Sequence, residues 1–140
     1  MSRMSRMSRE HRKSHDPLYH YTCAHGFAGI SETGILLQGV HPLMRHLGPL
    51  LWLTDLPAPS VESVGLTSER LTCDRMTYRY IVHTRAAVRW CDLSWRVSRE
   101  VVDVLESYGE PAHWWLVRRP LLVSEFALDG TYTHPAEVSA

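Results

Sequence analysis

The chain has 140 residues, 44% hydrophobic and 21% charged, which suits one soluble globular domain with a real core and is too short for two. Its formal net charge is zero, no apolar run approaches the ~20 residues that a membrane span needs, and the start has no apolar stretch of the secretory kind. Three cysteines (Cys23, Cys73 and Cys91) without CxxC spacing point to reduced thiols, so a cytoplasmic location and no membrane partner are expected.

The charge is unevenly spread. Arg3, Arg6, Arg9, Arg12 and Lys13 against Glu10 give the first fifteen residues about +4. The repeated "MSR" has nothing to bury, so residues 1–15 are expected to form a disordered basic arm and residues 16–140 a single domain. From there "PLYHYT" alternates and predicts a strand over Leu18–Thr22. "AHGFAGISETGI" spaces Phe27 and Ile30 as a short helix does, with Gly34 as its C-cap. "ILLQGVHP" predicts a second short strand, "HPLMRHLGP" a loop, and "LLWLTDL" the clearest strand, bounded by Gly48-Pro49 and "PAP". "SVESVGL" predicts a short helix with Ser60 near its N-cap.

The second half is strand-rich. "MTYRYIVHT" alternates, with Tyr78, Tyr80 and Val82, or the opposite set, expected inward. "AVRWCDL" is expected as a strand, leaving Asp92 at a strand end. A helix over "SREVVDVLESYG" follows, capped by Ser98, packed through Val101, Val102, Leu105 and Tyr108, and stopped at Gly109. "AHWWLVRR" and "PLLVSEFALDG" are expected as the two last strands, with at least one ring of Trp114 and Trp115 in the core. Strands outnumber helices without alternating with them, which predicts an α+β domain with antiparallel sheets.

Three segments carry a chemical pattern. Leu18-Tyr19-His20-Tyr21-Thr22 resembles the first motif, L-W-H-G-T/S, of the poly(ADP-ribose) polymerase-like branch of the ADP-ribosyltransferase superfamily. "GPLLWLTDLPAPS" sets Gly48, Leu51, Trp52, Leu53, Asp55 and Ser60 in the frame of the second motif, G-x-G-I-Y-F-A-D with a following serine. "VSEFALDG" sets Glu125 where the third motif carries its glutamate, early in a late strand. The chain departs from the pattern at Tyr21, where that branch has glycine, at Trp52, where it has tyrosine, and in the short spacing from Trp52 to Glu125.

The resemblance implies a split antiparallel β-sandwich with a few short helices and NAD in the cleft, as a substrate; no metal is expected. Breaking the C1′–N bond to nicotinamide passes through an oxocarbenium-like state, so positioning and electrostatics dominate. Glu125 is then the carboxylate that binds the nicotinamide-ribose hydroxyls and faces the developing charge. Trp52 is the flat face against the nicotinamide ring. His20 supplies a hydrogen bond to the adenosine-ribose hydroxyl or the amide region. Tyr21, through its backbone, and Ser60 are placed at the carboxamide, with Thr22 completing the cofactor-binding segment.

The implied activity is mono-ADP-ribosyl transfer to a protein or nucleic-acid acceptor, as in a toxin, an effector or a phage modifier. The alternatives are an NAD glycohydrolase, which differs only in using water, or a catalytically inactive relative that binds a nucleotide or a partner. Taken singly, His20, Trp52 and Glu125 would each read as structural; their combination carries the functional reading. His20, Cys23 and His25 invite a zinc reading, but no second Cys/His pair at finger spacing follows.

Overall fold

The computed structural model describes residues 16–59, 76–107 and 109–131. The expected arm over 1–15, the expected helix that includes Ser60, and Tyr108 lie outside them. Among the described residues nine strands, β1 (Leu18–Thr22), β2 (Ile35–Leu36), β3 (Gly39–Val40), β4 (Pro49–Thr54), β5 (Tyr78–Val82), β6 (Val88–Arg89), β7 (Trp114–Val117), β8 (Leu121–Leu122) and β9 (Phe126–Thr131), accompany three helices, α1 (Ala24–Thr33), α2 (Trp90–Leu93) and α3 (Arg99–Glu106). The fold is mixed α+β with antiparallel pairing throughout the described ladders.

The main sheet runs β6-β7-β4-β1-β5-β9, with β3 added along β4, and β2 pairs β8 in a separate ribbon. The pairing is uneven. β1 is in register with β5 along its whole length, from Leu18↔Val82 to Thr22↔Tyr78, whereas its register with β4 is confined to Tyr19↔Thr54. The sheet is therefore thinly joined between β1 and β4, with β3, β4, β6 and β7 on one side of this seam and β1, β5 and β9 on the other.

Each face of the sheet carries its own core, because alternate residues of a strand point to opposite faces. Leu18, Leu51, Leu53, Tyr80, Val82, Trp115 and Val117 gather on one face with Leu36 and Leu121 of the small ribbon, and Phe27 and Ile30 of α1 cover them. On the other face Leu50, Trp114 and Leu116 join Met44, Leu47, Trp90, Leu93 and Val97, with Trp52, Val101, Val102 and Leu105 packed against them. Both Trp114 and Trp115 are buried, one per face. Of the two alternating sets on β5, the one with Tyr78, Tyr80 and Val82 faces the core: Tyr80 and Val82 are buried, and Tyr78 is half-buried with its ring stacked on Phe27 at 4.2 Å between centroids.

Helix α1 ends as its glycine dictates: Gly34 adopts a left-handed φ of 71° and its N–H reaches the Ile30 carbonyl. Gly26 meets a different need. A Cβ there would stand 1.9 Å from Thr22 Oγ1, so only glycine lets α1 lie this close to the end of β1. Ser98 caps α3, accepting from the Val101 N–H.

Four expected elements differ from the structure. "ILLQGVHP" splits into β2 and β3, which join different partners, β8 and β4. The expected loop after it contains a 3₁₀ turn, Arg45–Leu47. In "AVRWCDL" only Val88–Arg89 is strand; Trp90–Leu93 is helical, because Trp90, Leu93 and Val97 recur at helical spacing toward one core while Cys91 and Asp92 face outward. Asp92 thus sits in a helix. "PLLVSEFALDG" is broken by a 3₁₀ turn, Val123–Glu125, between β8 and β9, so Glu125 precedes the last strand rather than lying within it.

Candidate functional site

His20 lies in the middle of β1, at the thinly joined seam. Its side chain falls on the face shared with Leu18, and Nδ1 lies 3.1 Å from the Trp52 carbonyl oxygen of β4. A carbonyl only accepts, so Nδ1 carries the proton and Nε2 is left as the acceptor of a neutral ring. Burial holds the imidazole below its ordinary pKa, opposed by the bond to Trp52, which keeps the neutral form dominant. Nε2 has no hydrogen-bond partner among the described residues.

The neighbours of His20 diverge in role. Tyr21 points to the opposite face and its ring is buried. Thr22 is half-buried under Gly26 of α1. Trp52 meets His20 through its backbone; its ring lies on the second core, 5.5 Å from Trp90 and 5.8 Å from Trp114 between centroids, with His41 at 6.4 Å. Trp52 remains half-buried rather than sealed.

Glu125 is heavily engaged. Oε1 accepts from Arg119 Nη1 at 2.9 Å and from the Leu122 N–H at 3.2 Å; Oε2 accepts from Arg119 Nη2 at 2.6 Å and from Thr84 Oγ1 at 3.1 Å. The bidentate Arg119 guanidinium, helped by the Leu122 N–H and Thr84, holds the carboxyl at a pKa of about 2 against the desolvation that raises it. The Glu125 backbone also accepts from the His83 N–H at 2.8 Å. This residue thereby ties the turn after β8 to the segment after β5.

The structure thus brings His20, Tyr21, Thr22 and the Trp52 backbone to one seam. Glu125 lies apart: Phe126 pairs with Val82, which pairs with Leu18, so Glu125 is two strands across and three residues along from His20, ~14 Å by ordinary sheet spacing. Ser60 lies outside the described residues. Among the described residues no group of three or more histidine, cysteine, aspartate or glutamate side chains is placed to hold a metal ion; Cys23 and His25 approach only to 3.9 Å.

A second polar cluster escaped the sequence reading. Asp55, at the end of β4, accepts from His113 through Oδ1 at 2.6 Å and from Trp115 Nε1 through Oδ2 at 3.0 Å. Asp55 and His113 are 58 residues apart, and nothing in the local pattern of either links them. Only the pairing Thr54↔Trp114 aligns them. No protein-family model matches the chain, and neither a curated protein nor a solved structure matches it. No helix among the described residues is long and apolar enough to cross a membrane.

Proposed function

We propose that the protein is a mono-ADP-ribosyltransferase that uses NAD as a substrate and binds it at the seam between β1 and β4. The observation that carries this reading is His20: a half-buried histidine in mid-strand, held neutral by burial and in one tautomer by the Trp52 carbonyl, with Nε2 left to accept. Among the described residues Nε2 has no partner, and a ribose hydroxyl is a natural donor to it. The first two motifs that resemble the superfamily meet at this contact, and the thin joint between β1 and β4 supports a split-sheet architecture with the nucleotide in the split.

In this reading His20 binds a ribose hydroxyl, the Tyr21 backbone and Thr22 border the carboxamide, and Trp52 lines the seam through its backbone, its ring lying on the opposite face of the sheet against Trp90 and Trp114. Glu125 is the carboxylate assigned to the oxocarbenium-like centre, which requires it to leave Arg119. The acceptor is a protein or a nucleic acid, as for a toxin, an effector or a phage modifier, and water as acceptor would make the protein an NAD glycohydrolase.

One observation favours a second reading. All of the Glu125 bonds serve the fold, so a relative that binds a nucleotide without cleaving it also fits. Incubation with NAD decides between the two: the transferase reading expects free nicotinamide, and its absence alongside saturable NAD binding establishes the binding module.

A further inference from the structure

Trp95 is 78% exposed, more than any other large hydrophobic side chain among the described residues, yet it is not loose. Its indole edge is pinned, with Nε1 donating to the Asp92 carbonyl at 3.0 Å. The Arg96 guanidinium stands over the ring, 6.0 Å from its centroid. A flat aromatic surface is thus held out to solvent with its orientation set beforehand.

Cations gather around the same turn. His46 Nε2 donates to the Arg96 carbonyl at 2.8 Å, since a carbonyl only accepts. Arg118 Nη2 donates to the carbonyl of the next residue, Leu47, at 3.3 Å. These two bonds bring the 3₁₀ turn Ser94–Arg96 and the residue after β7 against one other turn, Arg45–Leu47, which adds Arg45. Arg45, Arg96 and Arg118 are exposed, and none of them makes an ion pair among the described residues. Arg99 and Arg119, by contrast, are matched by Asp103 and Glu125. Local acids do not offset the three: residues 41–51, 93–99 and 111–121 contain no aspartate or glutamate. In a chain of zero net charge this is a concentrated positive patch with an aromatic ring at its side.

We infer that this surface binds single-stranded nucleic acid, with a base stacking on Trp95 and phosphates meeting Arg45, Arg96 and Arg118. A phosphate backbone repeats its charge and suits several unmatched cations, while every base offers a π face to a ring. A duplex keeps its base faces stacked inside, so a single strand is the form that reaches Trp95. A protein partner is the poorer fit, because an aromatic anchor for a protein sits in an interface core depleted of charge. Trp95 is flanked instead by Ser94, Arg96, Ser98 and Arg99. The inference does not rest on the NAD reading, since the surface shares no residue with the His20 site.

The test titrates the full chain into labelled oligo(dT) and oligo(U) of about twelve nucleotides, a length one small domain can cover. Fluorescence anisotropy at several salt concentrations gives the affinity and its salt slope. Trp95→Ala is expected to weaken binding by about 10–100-fold, the loss of one base stack. Its melting temperature should match the wild type, because the ring is exposed. Inorganic polyphosphate, which has the charge without the bases, is expected to bind wild type and Trp95→Ala equally. Trp95→Phe keeps an aromatic face and most of the affinity. Arg96→Gln and Arg118→Gln are each expected to reduce the slope of log Kd against log salt by about 0.7, one phosphate contact. Every comparison is between variants of the same chain, so the basic residues 1–15 contribute equally to both sides.

Tighter binding of oligo(U) or of oligo(dT) assigns the ligand as RNA or DNA, and equal binding assigns both. A wild-type protein that binds neither overturns the inference and leaves the NAD reading where it stands. Unchanged affinity in Trp95→Ala, or an equal loss for polyphosphate, removes the stacking platform and overturns it too. Unchanged salt slopes in both arginine variants do the same.

Discussion

His20 Nδ1 donates to the carbonyl oxygen of Trp52 at the place where β1 and β4 cease to run in register. Two strands that part leave backbone groups without ladder partners, and here a side chain satisfies one of them. The contact therefore has a structural cost when removed, whatever else His20 does.

His20→Ala is expected to cost about 1–3 kcal/mol in urea unfolding, because the Trp52 carbonyl loses its partner in a half-buried position. It is also expected to abolish the rise in melting temperature that NAD gives the wild-type protein. A variant with unchanged NAD stabilisation would take His20 out of the binding site and leave it as a backbone partner alone.

Glu125→Gln separates fold from chemistry. The folded carboxyl, at about 2, lies below the ordinary glutamate range, so its stabilising contribution is full above about 4.3 and fades as pH falls toward 2. Arg119 is half exposed, which weakens the pair through solvent screening. Acid unfolding of the wild type is expected to show this loss between those limits, and the Gln variant to lack it. At neutral pH the transferase reading expects nicotinamide release to fall by about 10²–10³-fold. An unchanged rate would confine Glu125 to its ties with Arg119, Thr84 and Leu122.

Trp52→Ala removes a ring that packs on Trp90 and Trp114, and is expected to destabilise the domain by about 3–5 kcal/mol in denaturant. Trp52→Tyr keeps an aromatic body and is expected to cost less than half of that. Equal NAD affinity in Trp52→Tyr and in any folded Trp52→Ala would show that the ring serves the core and not the nicotinamide.

Gly26→Ala inverts the usual preference of helices. Alanine gains about 1 kcal/mol over glycine in a helix interior, but here its Cβ collides with Thr22 Oγ1. Net destabilisation by about 1–3 kcal/mol is expected. The effect should shrink in a Thr22→Ala background, a coupling that a double-mutant cycle measures directly. Simple additivity would mean that α1 shifts as a body instead.

Much of this architecture was legible in the chain. Strand β1, helix α1 with its Gly34 stop, β4, β5 and the Ser98-capped α3 rest on periodicity and local caps, which act within a few residues. Short apolar runs were not decidable in that way. Trp90, Leu93 and Val97 serve one core at helical spacing, yet in the sequence they sit among residues that also suit a strand. The break at Val123–Glu125 depends on a carboxylate capping the turn and on Arg119 closing upon it, neither of which has a local signature. The candidate site divides similarly. His20 stood out as polar within an apolar strand, but the Asp55–His113 contact is made by pairing across 58 residues.

The order of the sheet also governs how the chain assembles. β1 occupies the middle of the sheet between β4 and β5, and the strands beyond those two come from much later segments, with Asp55 meeting Trp115 across 60 residues and Arg79 meeting Asp129 across 50. Contacts of such long range demand that large loops close before they are rewarded, which slows folding. During synthesis β5 exists well before β9, and until β9 emerges the outer edge of β5 is a row of open backbone groups. A ribosome-bound chain that has not yet reached Phe126 is the species most exposed to edge-to-edge aggregation.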